Sequence, residues 1–145
     1  MGNSTIVAQA TPSGRSGVAV IRISGPNAFL YAKELSQSSE KTPHHTVRLL
    51  PIYDSSQQVI DKAIFTFFKS PRSYTGEDVV EISCHGNPHI SESIIETIRS
   101  LGASTAEPGE YTKRAFLNGK MDLSQAESVA LLISSRSKDA ALHQL

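Results

Sequence analysis

The chain has 145 residues, of which 39% are hydrophobic and 19% are charged, and this length suffices for one domain with a real core. Its 14 basic and 14 acidic residues balance, whereas a free-standing nucleic-acid binder normally carries a basic excess that neutralises phosphates. The single cysteine, Cys84, excludes an internal disulfide and is typical of a reducing cytosol, and no secretory signal or membrane-spanning stretch is found.

The first third of the chain predicts two strands, one helix and a loop. Residues 5–10 and 18–24 form the strands, and the second of them alternates regularly and is rich in Val and Ile. Pro26 is expected in the first turn of a helix, where the missing N–H costs nothing, and this helix should run through Leu35. The polar segment 36–45 has no apolar period and predicts a loop.

The middle of the chain predicts a hairpin, a second loop, another strand and an amphipathic helix. Strands 46–52 and 59–68 form the hairpin, residues 69–77 the loop, and residues 78–84 the next strand. The helix that follows has apolar side chains at helical spacing, and a short strand is expected at 104–106. These side chains are Ile90, Ile94, Ile98 and Leu101.

The last part of the chain predicts two helices with a tight joint between them. The first begins at Glu110, and Gly119 supplies the positive φ that a helix C-terminus often requires. Asp122 caps the second helix, with Gln125 as its capping-box partner. Lys120 therefore lies in the joint, where it is well placed to meet an anion; the alternative is a solvated linker lysine.

Three patterns that can carry chemistry do not qualify here. A P-loop requires a glycine where Arg114 stands and Ser or Thr directly after Lys120, and neither is present. Cys84 and His85 are neighbours in a strand and point to opposite faces, so a buried, inert cysteine is favoured over a thiolate–imidazole pair. His85 and His89 have no third ligand in sight, so no metal site is predicted.

Arg22 and Glu81 are the candidate site residues. Each is a charged residue in the middle of a predicted strand, on a face that otherwise carries Val and Ser. A buried charge requires a partner, so the two either pair with each other or lie on a solvated face. The functional interpretation is that the two side chains form the floor of a pocket. There the arginine would bind a carboxylate, and the glutamate would accept hydrogen bonds from the N–H donors of a pterin or guanine edge. Tyr74, Thr75 and Asn87 are loop residues that are placed to contribute.

Several motifs together resemble the bacterial tRNA modification GTPase family known as MnmE or TrmE. The motifs follow the family's order and spacing from residue 5 to the end of the chain. They lie at 5–12 (TIVAQATP), 22–25 (RISG), 74–78 (YTGED), 85–86 (HG) and 108–127. Lys113 stands where the family often has an acidic residue, which leaves the pairing of Arg114 open.

The resemblance implies an α+β fold, with a mixed sheet and packed helices similar to the tetrahydrofolate-binding domain of aminomethyltransferases. It divides the chain into a folate-binding and dimerisation domain at 1–119 and the truncated start of a helical domain at 120–145. The chain also ends in mid-helix without a stop signal, so we expect a fragment of a longer protein. By motif, the family's folate contacts fall on Arg22, Glu81 and Lys120.

The resemblance also implies cofactors and partners. The cofactor is 5-formyltetrahydrofolate or another one-carbon tetrahydrofolate, and the partners are a second copy, the flavin- and NADH-using protein MnmG, and tRNA modified at C5 of its wobble uridine. GTP, potassium and magnesium belong to a G domain outside this chain, so no catalytic residue is expected here, and the location is expected to be cytoplasmic. Two alternatives stay open: a purely structural dimerisation domain, and a self-contained aminomethyltransferase-like enzyme.

Overall fold

The computed structural model describes residues 4–38 and 45–143. Strands in these ranges are β1 (Ile6–Gln9), β2 (Val18–Ser24), β3 (Val47–Tyr53), β4 (Val59–Phe68), β5 (Val79–His85) and β6 (Ser104–Thr105). Helices are α1 (Ala28–Ser36), α2 (Pro88–Leu101), α3 (Glu110–Leu117) and α4 (Leu123–His143). None of these helices has the length and apolarity needed to cross a membrane.

The strands form one mixed sheet in the order β3-β4-β5-β2-β1-β6. All neighbouring pairs are antiparallel except β1 and β6, which are parallel. The predicted mixed class of helices and sheet is therefore confirmed, as are the predicted hairpin and the short strand before α3. The similarity to aminomethyltransferases stays a prediction.

One face of the sheet is covered by α1 and α2 and forms the core. Alternation along β2, β4 and β5 sends every second side chain to this face, and two aromatic rings, Phe29 and Phe67, meet edge-to-face at 5.4 Å. Burying each large side chain contributes about 1.5–3 kcal/mol. The largest fully buried side chains on these strands are Ile21, Ile23, Phe65, Phe67 and Ile82.

The opposite face of the sheet is open over β3, β4 and β5. One cross-strand row on this face runs Val47, Thr66, Glu81, Arg22 and Ala8. The adjacent row runs Leu49, Ile64, Ser83 and Val20, and the side chains of Leu49 and Ile64 are 59% and 45% exposed. The candidate charges therefore lie next to exposed apolar side chains on the same face.

Two predicted boundaries differ from the structure around α1. The helix begins at Ala28, so Pro26 lies in the preceding turn rather than in the first helical turn. The cause is a contact distant in sequence, since the N–H of Asn27 donates to Thr5 Oγ1 at 2.9 Å. At the other end Ser36 still belongs to the helix, while residues 39–44 of the predicted loop lie outside the described residues.

Candidate ligand site on the open face of the sheet

Arg22 and Glu81 face each other across β2 and β5 and form an ion pair. Both Nε and Nη2 of Arg22 approach the same oxygen, Oε2 of Glu81, at 2.9 and 2.8 Å. The alternative in which the two charges pair is thus confirmed, with side chains that stay 23% and 27% exposed. Because both bonds use Oε2, Glu81 Oε1 and Arg22 Nη1 have no hydrogen-bond partner within the described ranges.

Two tyrosine rings contact the Arg22 guanidinium. Its central carbon lies 5.3 Å from the ring centre of Tyr74, in the loop before β5, and 5.3 Å from that of Tyr111 in α3. A guanidinium is attracted by the electron-rich face of an aromatic ring. The sequence had indicated Tyr74 as a contributor but not Tyr111, since no local pattern shows which side of α3 meets the sheet.

Each tyrosine hydroxyl is anchored by a hydrogen bond. Tyr111 donates to the backbone oxygen of Arg22 at 2.6 Å, and the hydroxyls of Tyr74 and Thr112 lie 2.9 Å apart. Burial raises the pKa of Tyr111 above its ordinary value, although the nearby Arg22 charge lowers it in part. The Tyr111 hydroxyl therefore stays protonated at neutral pH and remains a donor.

Lys120 lies in the joint between α3 and α4, as predicted. Gly119 has φ +72°, and Asp122 and Gln125 form a reciprocal capping box, with N–H to side-chain oxygen distances of 2.9 and 2.8 Å. A Cβ placed on Gly76 would lie 3.3 Å from Lys120 Cγ, so the lysine stem packs against the loop that carries Tyr74. The Lys120 ammonium makes no ion pair with Glu81 or with any other acidic residue in the described part of the chain.

The loop and the joint are also connected directly. The Asn118 side-chain amide donates to the backbone oxygen of Thr75 at 2.8 Å, one residue from Tyr74. Tyr74 in turn contacts Arg22. The structure thus pairs Arg22 directly with Glu81 and connects Lys120 to this pair through the loop.

A second charged cluster, around Arg114, attaches α3 to the rest of the domain. The Arg114 side chain is 7% exposed; Nη1 lies 3.1 Å from Glu77 Oε1, and Nη2 lies 2.9 Å from Glu110 Oε2. Nη1 also donates to the backbone oxygen of Ser4 at 2.6 Å, and Ser24 donates to Glu77 at 2.7 Å. The pairing of Arg114, which the sequence left open, is therefore with two acidic residues.

Asp61 and His85 form a third pair, at the end of β5. Their side chains meet at 2.7 Å (Nδ1 to Oδ1), and Asp61 also accepts the backbone N–H groups of His85 and Lys62 at 2.9 and 2.8 Å. Burial raises the pKa of Asp61, but these hydrogen bonds and the His85 charge lower it more, so it lies below its ordinary value. No three His, Cys, Asp or Glu side chains of the described ranges gather as metal ligands.

Cys84 is the buried, inert cysteine that the sequence favoured. Its thiol donates to the backbone oxygen of Ala19 at 3.4 Å, on the core side of the sheet. Burial raises the pKa of Cys84 to about 11, so almost no thiolate exists at neutral pH. His85 is directed instead to Asp61.

The elements from β1 to α3 and the contacts made by Arg22 lie within a stretch of sequence that matches a known domain family. The sequence model described as the GTP-binding protein TrmE N-terminus matches residues 5–120, and the chain belongs to this family.

Full-length relatives agree with this assignment. Proteins named tRNA modification GTPase MnmE are 50% identical in Flavobacterium psychrophilum, 47% in Christiangramia forsetii and 45% in a Nitratiruptor species. The alignments cover 97%, 99% and 96% of this chain. The chain spans 31% of the length of each relative.

Proposed function

We propose that this chain is the tetrahydrofolate-binding and dimerisation module of a tRNA modification GTPase. The observation that carries the proposal is the Arg22–Glu81 pair, which lies on an open sheet face and keeps one acceptor and one donor unused. In the whole protein, GTP, potassium and magnesium are bound outside this chain. Together with MnmG, that protein adds an aminomethyl-type group at C5 of the wobble uridine of certain tRNAs.

The chemistry of the open pair fits the polar edge of a pterin. This edge carries N–H donors beside a carbonyl oxygen, which matches the acceptor Oε1 of Glu81 and the donor Nη1 of Arg22. Lys120, whose stem packs on the loop that carries Tyr74, offers a cation for an anionic group of the ligand, since its ammonium is not used by the described residues. A bound one-carbon tetrahydrofolate supplies the carbon unit, and these residues orient its ring.

A calorimetric titration of the chain with 5-formyltetrahydrofolate tests the site. We expect saturable binding near one ligand per chain, and roughly tenfold or greater loss of affinity in Arg22→Ala, Glu81→Ala and Lys120→Ala, because hydrogen bonds to charged groups contribute about 1.5–3 kcal/mol. Lys113→Ala, an exposed lysine on α3, is the matched control and should bind as the unaltered chain does.

The unused groups also distinguish this proposal from a ligand-free dimerisation domain. A dimer contact does not require a charge pair inside a sheet face, whereas such a pair suits a ligand that presents both donors and acceptors. Undiminished affinity in all three variants would refute the folate site. No binding by the unaltered chain would support the purely structural alternative.

The exposed apolar side chains beside the charge pair support dimerisation. Val18, Leu49 and Ile64 line one shallow cavity of about 210 Å³ on the open face. Contiguous exposed apolar surface of this kind marks a contact site, and a two-fold dimer uses the same patch on both copies. Because the net charge is zero, two copies have no overall charge repulsion that would oppose their association.

Ile64→Glu should convert the chain from dimer to monomer, because it buries a carboxylate at the centre of this patch. Sedimentation equilibrium measures the mass directly. Leu30→Glu is the control, since Leu30 is 50% exposed but lies on α1, on the other side of the sheet. A monomeric unaltered chain, or an equal effect of both substitutions, would contradict dimerisation through the open face.

A further inference from the structure

We propose that Tyr111, assisted by Tyr74, is a positioning residue that orients the Arg22 guanidinium for the ligand. The inference deepens the proposed function and relies on it only for the identity of the ligand. Tyr111 contacts Arg22 through its ring and its hydroxyl, rather than the unused atoms Glu81 Oε1 and Arg22 Nη1. Its role is to determine which atoms of the Arg22–Glu81 pair stay available.

The geometry of the ion pair is the first observation. Arginine and carboxylate groups frequently pair with two parallel hydrogen bonds that use both carboxylate oxygens. Here both arginine donors converge on Oε2 of Glu81, at 2.9 and 2.8 Å. Turning the guanidinium into the two-oxygen arrangement would occupy Oε1, the acceptor that the ligand requires.

The tyrosine contacts are the second observation. The rings of Tyr74 and Tyr111 both lie 5.3 Å from the guanidinium carbon, and they come from two different elements, a loop and a helix. A guanidinium that turns away from its present plane loses these contacts. The rings therefore stabilise the one-oxygen arrangement over the two-oxygen one.

The anchoring of Tyr111 makes it the more important of the two. Its hydroxyl donates to the backbone oxygen of Arg22, so the ring is held by the very residue that it orients. The helix that carries it is held to the rest of the domain through the ion pair of Arg114 with Glu77 and the hydrogen bond from Arg114 to the backbone oxygen of Ser4. Tyr74 is partly exposed and lies on a loop, so it supports a guanidinium that Tyr111 already places. Holding the side chain in place before binding saves the entropy of ordering it on binding.

The test combines a magnetic-resonance measurement on Arg22 with folate titration. In the ¹⁵N-labelled chain, the Arg22 Nε–H signal, assigned by its loss in Arg22→Lys, should carry a ring-current shift. Tyr111→Leu removes one of the two rings at 5.3 Å, so it should reduce this shift clearly and weaken binding of 5-formyltetrahydrofolate about tenfold. Tyr111→Phe keeps the ring but loses the hydroxyl anchor, so its shift and its affinity should lie between those of the unaltered chain and of Tyr111→Leu.

Another aromatic residue of α3 serves as a control that distinguishes a loss of Arg22 positioning from a general disturbance of the helix. Phe116→Leu removes an exposed ring of α3 and should change neither the Arg22 signal nor the affinity. If Tyr111→Leu keeps both the shift and the affinity while remaining folded by circular dichroism, the proposal is overturned. An equal loss of affinity in Phe116→Leu would also overturn it. Should the unaltered chain bind no folate, the proposed function fails, and the Arg22 signal alone still decides the positioning role.

Discussion

Replacing Arg114 by methionine is expected to lower the free energy of unfolding by about 3 kcal/mol, the range seen when one partner of a buried ion pair is removed. The substitution keeps most of the side-chain volume but removes the guanidinium that pairs with the carboxylates of Glu77 and Glu110. It also removes the donor to the backbone oxygen of Ser4. Urea denaturation followed by circular dichroism measures the difference.

The neighbouring lysine provides the control for this experiment. Lys113 lies on the same helix but is exposed, so Lys113→Met should change the free energy of unfolding by less than about 0.5 kcal/mol. Adding Glu110→Gln to Arg114→Met should restore part of the loss, because one of the two carboxylates that faced Arg114 is then uncharged. Equal stability of Arg114→Met and the unaltered chain would show that the cluster does not hold α3.

The elements of this fold were predictable where their signals are local. The capping box of Asp122 and Gln125, the start of α3 at Glu110 and the alternation along β2 all depend on residues within a few positions of each other. Such signals can be recognised in the sequence without knowing how distant segments of the chain pack. The candidate site residues Arg22 and Glu81 could be singled out for the same reason, because a charged residue in the middle of a strand breaks a local pattern.

What the sequence could not show depends on contacts between distant residues. The start of α1 is shifted by a hydrogen bond from Asn27 to Thr5, 22 positions away. Arg114 finds Glu77 at a separation of 37 positions, and Tyr111 meets the backbone of Arg22 at a separation of 89. No periodicity encodes these pairings, since they follow from how α3 packs on the sheet. The folate contacts and the dimerisation of this chain stay predictions, which measurements of ligand binding and of mass in solution test.

Gly86→Ala should destabilise the chain by about 3 kcal/mol, at the upper end of the range for an overpacked site. A Cβ on Gly86 would lie 2.1 Å from the backbone oxygen of Ser16 and 2.5 Å from its carbonyl carbon. Neither atom is the flexible end of a side chain. Backbone must therefore move, and the hydrogen bond from the Ser16 N–H to the Gly86 oxygen, 3.0 Å long, is lost with it.

Gly17→Ala is the matched control, because Gly17 lies close to Ser16 in the chain, has an ordinary φ, and has no atom within 4 Å of the position that an added methyl group would take. It should be neutral or stabilise by up to about 1 kcal/mol. If thermal unfolding shows Gly86→Ala as stable as Gly17→Ala, the close approach is not required. The expected difference in stability between the two variants would explain the pair His85-Gly86 by packing. Gly86 lets two backbone segments touch, and the backbone N–H of His85 donates to Asp61 beside them. Imidazole chemistry is then not needed to account for the motif.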